Sequence, residues 1–111
     1  MWREEQTEAL HLLADVYLDQ GHAGRAAILL EALTVLAPDK VEVLRTLSYA
    51  LLLAGRYEDA LAATDALLRR DAAMPENTPA LFIRSKALWA LGRVAEAQEN
   101  LQRYLDLEGP S

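Results

Sequence analysis

The chain has no cysteine, which excludes a disulfide framework, a thiolate metal site and a cysteine nucleophile. Basic residues are outnumbered 17 to 11, and the resulting net charge of −6 repels phosphate backbones and anionic bilayers, so nucleic acid and membrane surfaces are not expected as partners. Long apolar runs are missing too: uncharged stretches such as LSYALLLAG are far too short to span a bilayer. The opening residues MWREEQTEAL carry three glutamates and no apolar run, so no signal peptide is expected. Glycine is sparse. The glycines are isolated, and none is followed by Lys-Ser or Lys-Thr, so there is no phosphate-cradling loop.

What the chain has is alanine and leucine at helical spacing. From Glu4 to Gln20 the apolar positions Leu10, Leu13 and Tyr17 recur at intervals of three and four, which predicts an amphipathic helix ended by Gly21. A second helix is expected from about Ala23 to Leu36, stopped by Pro38, with Asp39 and Glu42 spaced as a capping box for a third helix over about 40–54. Gly55 ends that helix. A fourth, from about Tyr57 to Arg70, begins with Glu58 and Asp59 and ends with Arg69 and Arg70, matching the helix dipole at both ends. Residues 71–77, DAAMPEN, read as a loop, with Thr78 as N-cap and Pro79 as first helical position of a fifth helix to about Leu91. Gly92 turns the chain into a sixth helix over about 94–107, closed by Gly109 and Pro110. Trp2, ahead of these elements, either staples the first helix to the rest or reaches a partner.

The stretch Gly21 to Pro38 sets the register. Gly21 to Gly55 and Ala26 to Ala60 are each 34 residues, while Gly55 to Gly92 and Ala60 to Ala97 are each 37, the extra three falling in the 71–77 loop. Helix, turn and helix repeating at 34 residues resembles the tetratricopeptide family over nearly the whole chain. Leu10, Leu44 and Leu81 stand where the family commonly has tryptophan, and Ala26, Ala60 and Ala97 match its most reliable alanine. Departures are Thr64 at a usually large apolar position, Leu33, Leu67 and Tyr104 in place of a second alanine, and a terminal proline only in the first copy. The expected architecture is all-α. A single domain, 1–111, holds three tandem helix-turn-helix repeats at about 7–40, 41–74 and 78–111, stacked as a short right-handed superhelix.

Stacked helix pairs expose an apolar face at each end unless something covers it. After Leu107 only four residues remain, so the last helix, with Val94, Leu101, Tyr104, Leu105 and Leu107, is expected to lack cover from its own chain. In tetratricopeptide arrays the first helix of each pair lines a concave groove. Carried over, that resemblance selects His11, Asp15 and Leu18, then Arg45, Tyr49 and Leu52, then Phe82, Lys86 and Trp89 as partner-binding residues. On the third helix Leu44, Leu47, Leu51 and Ala54 form the core stripe, so Tyr49 and Leu52 read as surplus to it. Phe82 and Trp89, seven apart, share a face, and aromatics with arginine are the types that dominate partner binding. For each of these residues, filling the inner side of a short stack is the competing role.

Enzyme chemistry finds no footing. His11 and Asp15, spaced i, i+4, have nothing nearby to complete a metal site, His22 falls in a turn, and Lys86 on a groove wall reads as a partner for an acid rather than a base. No cofactor is expected.

Gly21 to Leu33, GHAGRAAILLEAL, is similar to the first repeat of the YscY (SctY) family of bacterial type III secretion chaperones, as the ending YLDLEGPS is to that family's C-terminus. The resemblance implies a cytoplasmic, non-enzymatic chaperone that holds a small secreted protein, YscX (SctX), and contacts the export gate. The residues agree on one physical point: AAILLEALTVLA is apolar on nearly every side apart from Glu31 and Thr34, so this helix is expected to be covered on both faces. A self-associating scaffold, including a homodimer through the last helix, and a generic peptide-binding adaptor are the alternatives.

Overall fold

The computed structural model describes residues 2–71 and 78–109, which form six helices: α1 (Glu4–Asp19), α2 (Ala23–Leu36), α3 (Val41–Leu53), α4 (Tyr57–Asp71), α5 (Thr78–Ala90) and α6 (Val94–Glu108). Three antiparallel pairs arise because the first helix of each pair ends in the same way. The amide of Gly21 donates to the Leu18 carbonyl (3.1 Å) and that of His22 to Tyr17 (2.8 Å); Gly55 and Arg56 bond Leu52 and Leu51, and Gly92 and Arg93 bond Trp89 and Leu88, in the same pattern. This double closure needs a left-handed residue, and the three glycines take φ of 80°, 77° and 80°. Around Gly55 a Cβ would meet nothing within 4 Å, so replacing it with alanine tests conformation alone. Gly55→Ala is expected to cost about 1–2 kcal/mol, read as a lower denaturation midpoint with an unchanged m-value.

Each helix packs on its neighbour in sequence, and in addition α1 meets α3 and α3 meets α5, so the pairs stack along one axis into a body of 44 × 26 × 23 Å. Among the described residues there is no strand. The core runs through the stack: Ala14, Leu30 and Leu33 from the first pair, Leu47, Leu51 and Leu61 from the second, Leu88 and Ala97 from the third. Ala26, Ala60 and Ala97 are all essentially inaccessible. Thr64 is tolerated in this core because its hydroxyl lies 3.0 Å from both the Ala60 and Leu61 carbonyls of its own helix and donates there.

Three local expectations change. Asp39 does not cap α3; the cap position is Lys40, one residue later, which moves Glu42 out of capping-box spacing, and the Lys40 ammonium pairs with Glu4 of α1 instead. Thr78 is already helical rather than preceding the helix, and Asp71 closes α4, while the rest of the expected loop, 72–77, lies outside the described residues. Trp2 acts as a staple: its indole N–H donates to Thr7 Oγ1 (2.6 Å) and its ring packs against the core.

Besides Lys40–Glu4, two further ion pairs tie one helix pair to the next. Arg56 makes a bidentate contact with Glu31 (2.9 Å each) and a further bond to Asp59, and these carboxylates, Glu31 foremost, hold its guanidinium above its ordinary pKa. Arg84 of α5 reaches back to Asp65 of α4 (2.6 Å) and to the Leu61 carbonyl (3.2 Å).

Candidate functional site

The stacking of α1, α3 and α5 side by side leaves a groove along their inner surface. It measures about 460 Å³ and is lined by Asp15, Leu18 and Asp19 of α1, Arg45, Thr46 and Tyr49 of α3, Leu67 of α4, and Pro79, Ala80 and Ile83 of α5. Its composition follows from helix geometry. Arg45 and Tyr49 are four apart on α3 and present one stripe, and Ala80 and Ile83, three apart on α5, present the facing one. The floor is apolar, from Leu67, Ala80 and Ile83. Asp15 and Asp19 place negative charge on one wall and Arg45 positive charge on the other, while Tyr49 stands 47% exposed. The groove can take an apolar side-chain row and read charge beside it, which is what a helix or extended segment of a protein presents.

Four of the nine residues expected from sequence line this groove: Asp15, Leu18, Arg45 and Tyr49. The other five do not. His11 bridges α1 and α3 through a hydrogen bond between its Nε2 and Thr46 Oγ1 (2.7 Å). Leu52 packs against the core, so it is not surplus to it, the reason being that α3 is gripped by helices on both sides and its buried arc is wider than a single stripe. Phe82 turns toward α6 and packs on Tyr104 with ring centroids 5.3 Å apart, and the Lys86 ammonium sits over the Phe82 ring at 5.2 Å. Trp89, on the same face of α5, is 62% exposed. Phe82, Lys86 and Trp89 thus belong to the end of the stack, not to the groove.

Sequence reasoning missed Asp19, Thr46, Leu67, Pro79, Ala80 and Ile83. A groove between neighbouring helices has two walls, and the stripe carried over from the repeat family supplies only one. The available signal was the register itself, since Thr46 and Ile83 occupy the same repeat position, 37 residues apart, directly beside Arg45 and Phe82.

The expected cover on both faces of α2 is not met among the described residues, which leave Ile28, Val35 and Leu36 exposed. No helix among the described residues is long and apolar enough to cross a membrane.

Residues 11–75 match the tetratricopeptide repeat, more than half of the chain. The chain belongs to the tetratricopeptide repeat family. No curated protein matches it. Among solved structures it is similar to a double mutant of MamA (RS-1, ArsTM), with a TM-score of 0.83 at 19% identity over 95% of this chain and 57% of that one. It is also similar to the type III secretion translocator chaperone SycD of Yersinia enterocolitica in an alternative dimer, with a TM-score of 0.81 at 23% identity over 95% of this chain and 77% of that one. The chain therefore spans little more than half the length of the MamA chain, and at these identities the likeness is one of fold. The tetratricopeptide assignment explains the all-α stack and the three copies of the glycine closure together.

Proposed function

We propose that this tetratricopeptide protein is a non-enzymatic cytoplasmic chaperone that holds a small secreted partner of a bacterial type III secretion system, of the YscX (SctX) kind, and delivers it to the export gate. The observation that carries the proposal is the groove: an apolar floor of Leu67, Ala80 and Ile83 between an acidic wall and Arg45 suits an amphipathic segment of another protein. The fold shared with SycD, a type III secretion chaperone, and the resemblance of GHAGRAAILLEAL to the YscY first repeat support the secretion setting. In this reading a partner helix lays its apolar side against Leu18, Tyr49 and Ile83, and sets an acidic side chain toward Arg45 and a basic one toward Asp15 and Asp19.

The test is coexpression with a small candidate partner of the YscX (SctX) kind. A soluble complex of defined stoichiometry, surviving size exclusion, is the expected result. A candidate that stays insoluble or elutes separately, while the chaperone itself is folded, refutes the proposal.

A further inference from the structure

The two ends of the stack carry the two halves of a junction that the protein already builds twice inside itself. At the junction between the second and third helix pairs, Arg45 and Leu67 lie across from Ile83 in the groove. On the outer side Asp65, Leu68 and Arg69 of α4 face Arg84, Glu99, Asn100 and Arg103 across a polar crevice.

The repeat register carries these positions to the ends. Moving 37 residues on, Arg45, Leu67 and Leu68 become Phe82, Tyr104 and Leu105; moving 71 back, Ile83, Arg84 and Glu99 become Leu12, Leu13 and Ile28. Among the described residues both end faces are more exposed than their internal counterparts. Leu101 is 36% exposed, whereas Leu30 and Thr64, at the same position in the earlier pairs, are 0% exposed. Val16 is 41% exposed, whereas Ala50 and Ala87, its counterparts, are fully buried.

The chemistry of the ends matches at most of these positions. Where the internal junction pairs Asp65 with Arg84, the ends offer Gln102 and Leu13; where it sets Leu68 beside Glu99, they offer Leu105 and Ile28. The shallow cleft of Leu13, Arg25, Ile28, Leu29 and Ala32 is the register counterpart of the α6 wall of that crevice, lacking the helix opposite. Arg25 in this cleft and Asp106 on the last helix, the counterpart of Arg69, are of opposite charge at facing positions. Phe82 meets Leu12, Leu105 meets Ile28 and one charge meets its opposite, while Gln102 falls against Leu13.

We infer that the Phe82–Trp89–Leu105 face of one copy receives the Leu12–Val16–Ile28 face of a second copy, continuing the repeat stack from chain to chain. Such a contact is heterologous, so it leaves a free end on each side and adds copies stepwise rather than stopping at a symmetric dimer. It is separate from the groove and does not depend on the proposed secretion role.

The experiment uses sedimentation velocity on the full chain over a wide concentration range, with two variants at exposed positions, Leu12→Arg and Trp89→Arg, each checked for an unchanged helical spectrum. The wild-type mass is expected to rise continuously with concentration, and each variant alone to associate at least about 30-fold more weakly. An equimolar mixture of the two variants restores a one-to-one dimer, because the intact end of each fits the intact end of the other. A wild type that remains monomeric at every concentration overturns the inference. So does a Leu12→Arg protein that still dimerises by itself, since that contact would be symmetric through the α5–α6 face.

Discussion

Leu30→Ala is expected to remove roughly 2–5 kcal/mol of stability, while Leu101→Ala, the same substitution at the same repeat position, costs about 1 kcal/mol. The two leucines differ only in what lies beyond them. Leu30 is sealed between the first and second pairs at 0% exposure, so deleting its side chain leaves a cavity that the surrounding helices fill incompletely. Leu101 is 36% exposed on the last helix, so solvent occupies the vacated space and only part of the burial energy is lost. Against a total of about 5–15 kcal/mol for a domain of this kind, the first change leaves a marginal protein and the second a sound one. Denaturant titration of both variants at a concentration where the chain is monomeric measures the difference. Equal losses would mean that Leu101 is buried in the working form of the protein.

Tyr49→Ala is expected to weaken binding of the proposed secreted partner about 30-fold or more, and Trp89→Ala to leave it within about threefold of wild type. Tyr49 is half-exposed and lines the groove one helical turn beyond Arg45, and its ring supplies a large contact area at little cost in side-chain entropy. Trp89 is the larger and more exposed ring, and sequence reasoning groups the two. It lies on the end face beside Lys86, however, and does not line the groove. Isothermal titration of both variants decides the matter: a loss confined to Trp89→Ala would move the partner site to the end of the stack. The same pair of variants separates partner binding from self-association, since the end-to-end contact uses Trp89 and not Tyr49.

Much of the fold is legible in the chain because backbone chemistry dictates it. Gly21, Gly55 and Gly92 take positive φ at no steric cost, and their spacing with Ala26, Ala60 and Ala97 fixes three helix pairs. Helix starts are less legible. Asp39 and Lys40 are both compatible with the start of α3, and the geometry of the turn after Pro38, with the pairing of Lys40 to Glu4 of a helix 36 residues earlier, sets the outcome.

The site is half legible for a similar reason. A helical stripe shows which residues share a face, so Arg45 and Tyr49 are found together. Which face of the next helix closes the groove depends on how the pairs stack, and that is why Ala80 and Ile83 escape notice and why Phe82 and Trp89 are misplaced. Leu52 illustrates the same limit, because only the packing on both sides of α3 shows its side chain drawn into the core.

The most direct test of the groove is site-specific photo-crosslinking in the complex with the secreted partner, with the reactive amino acid placed in turn at Tyr49 and at Val35 on the outer face of α2. The account predicts a single crosslinked species from position 49 and none from position 35. A crosslink from position 35 with none from position 49 would place the partner on the outside of the stack and contradict it.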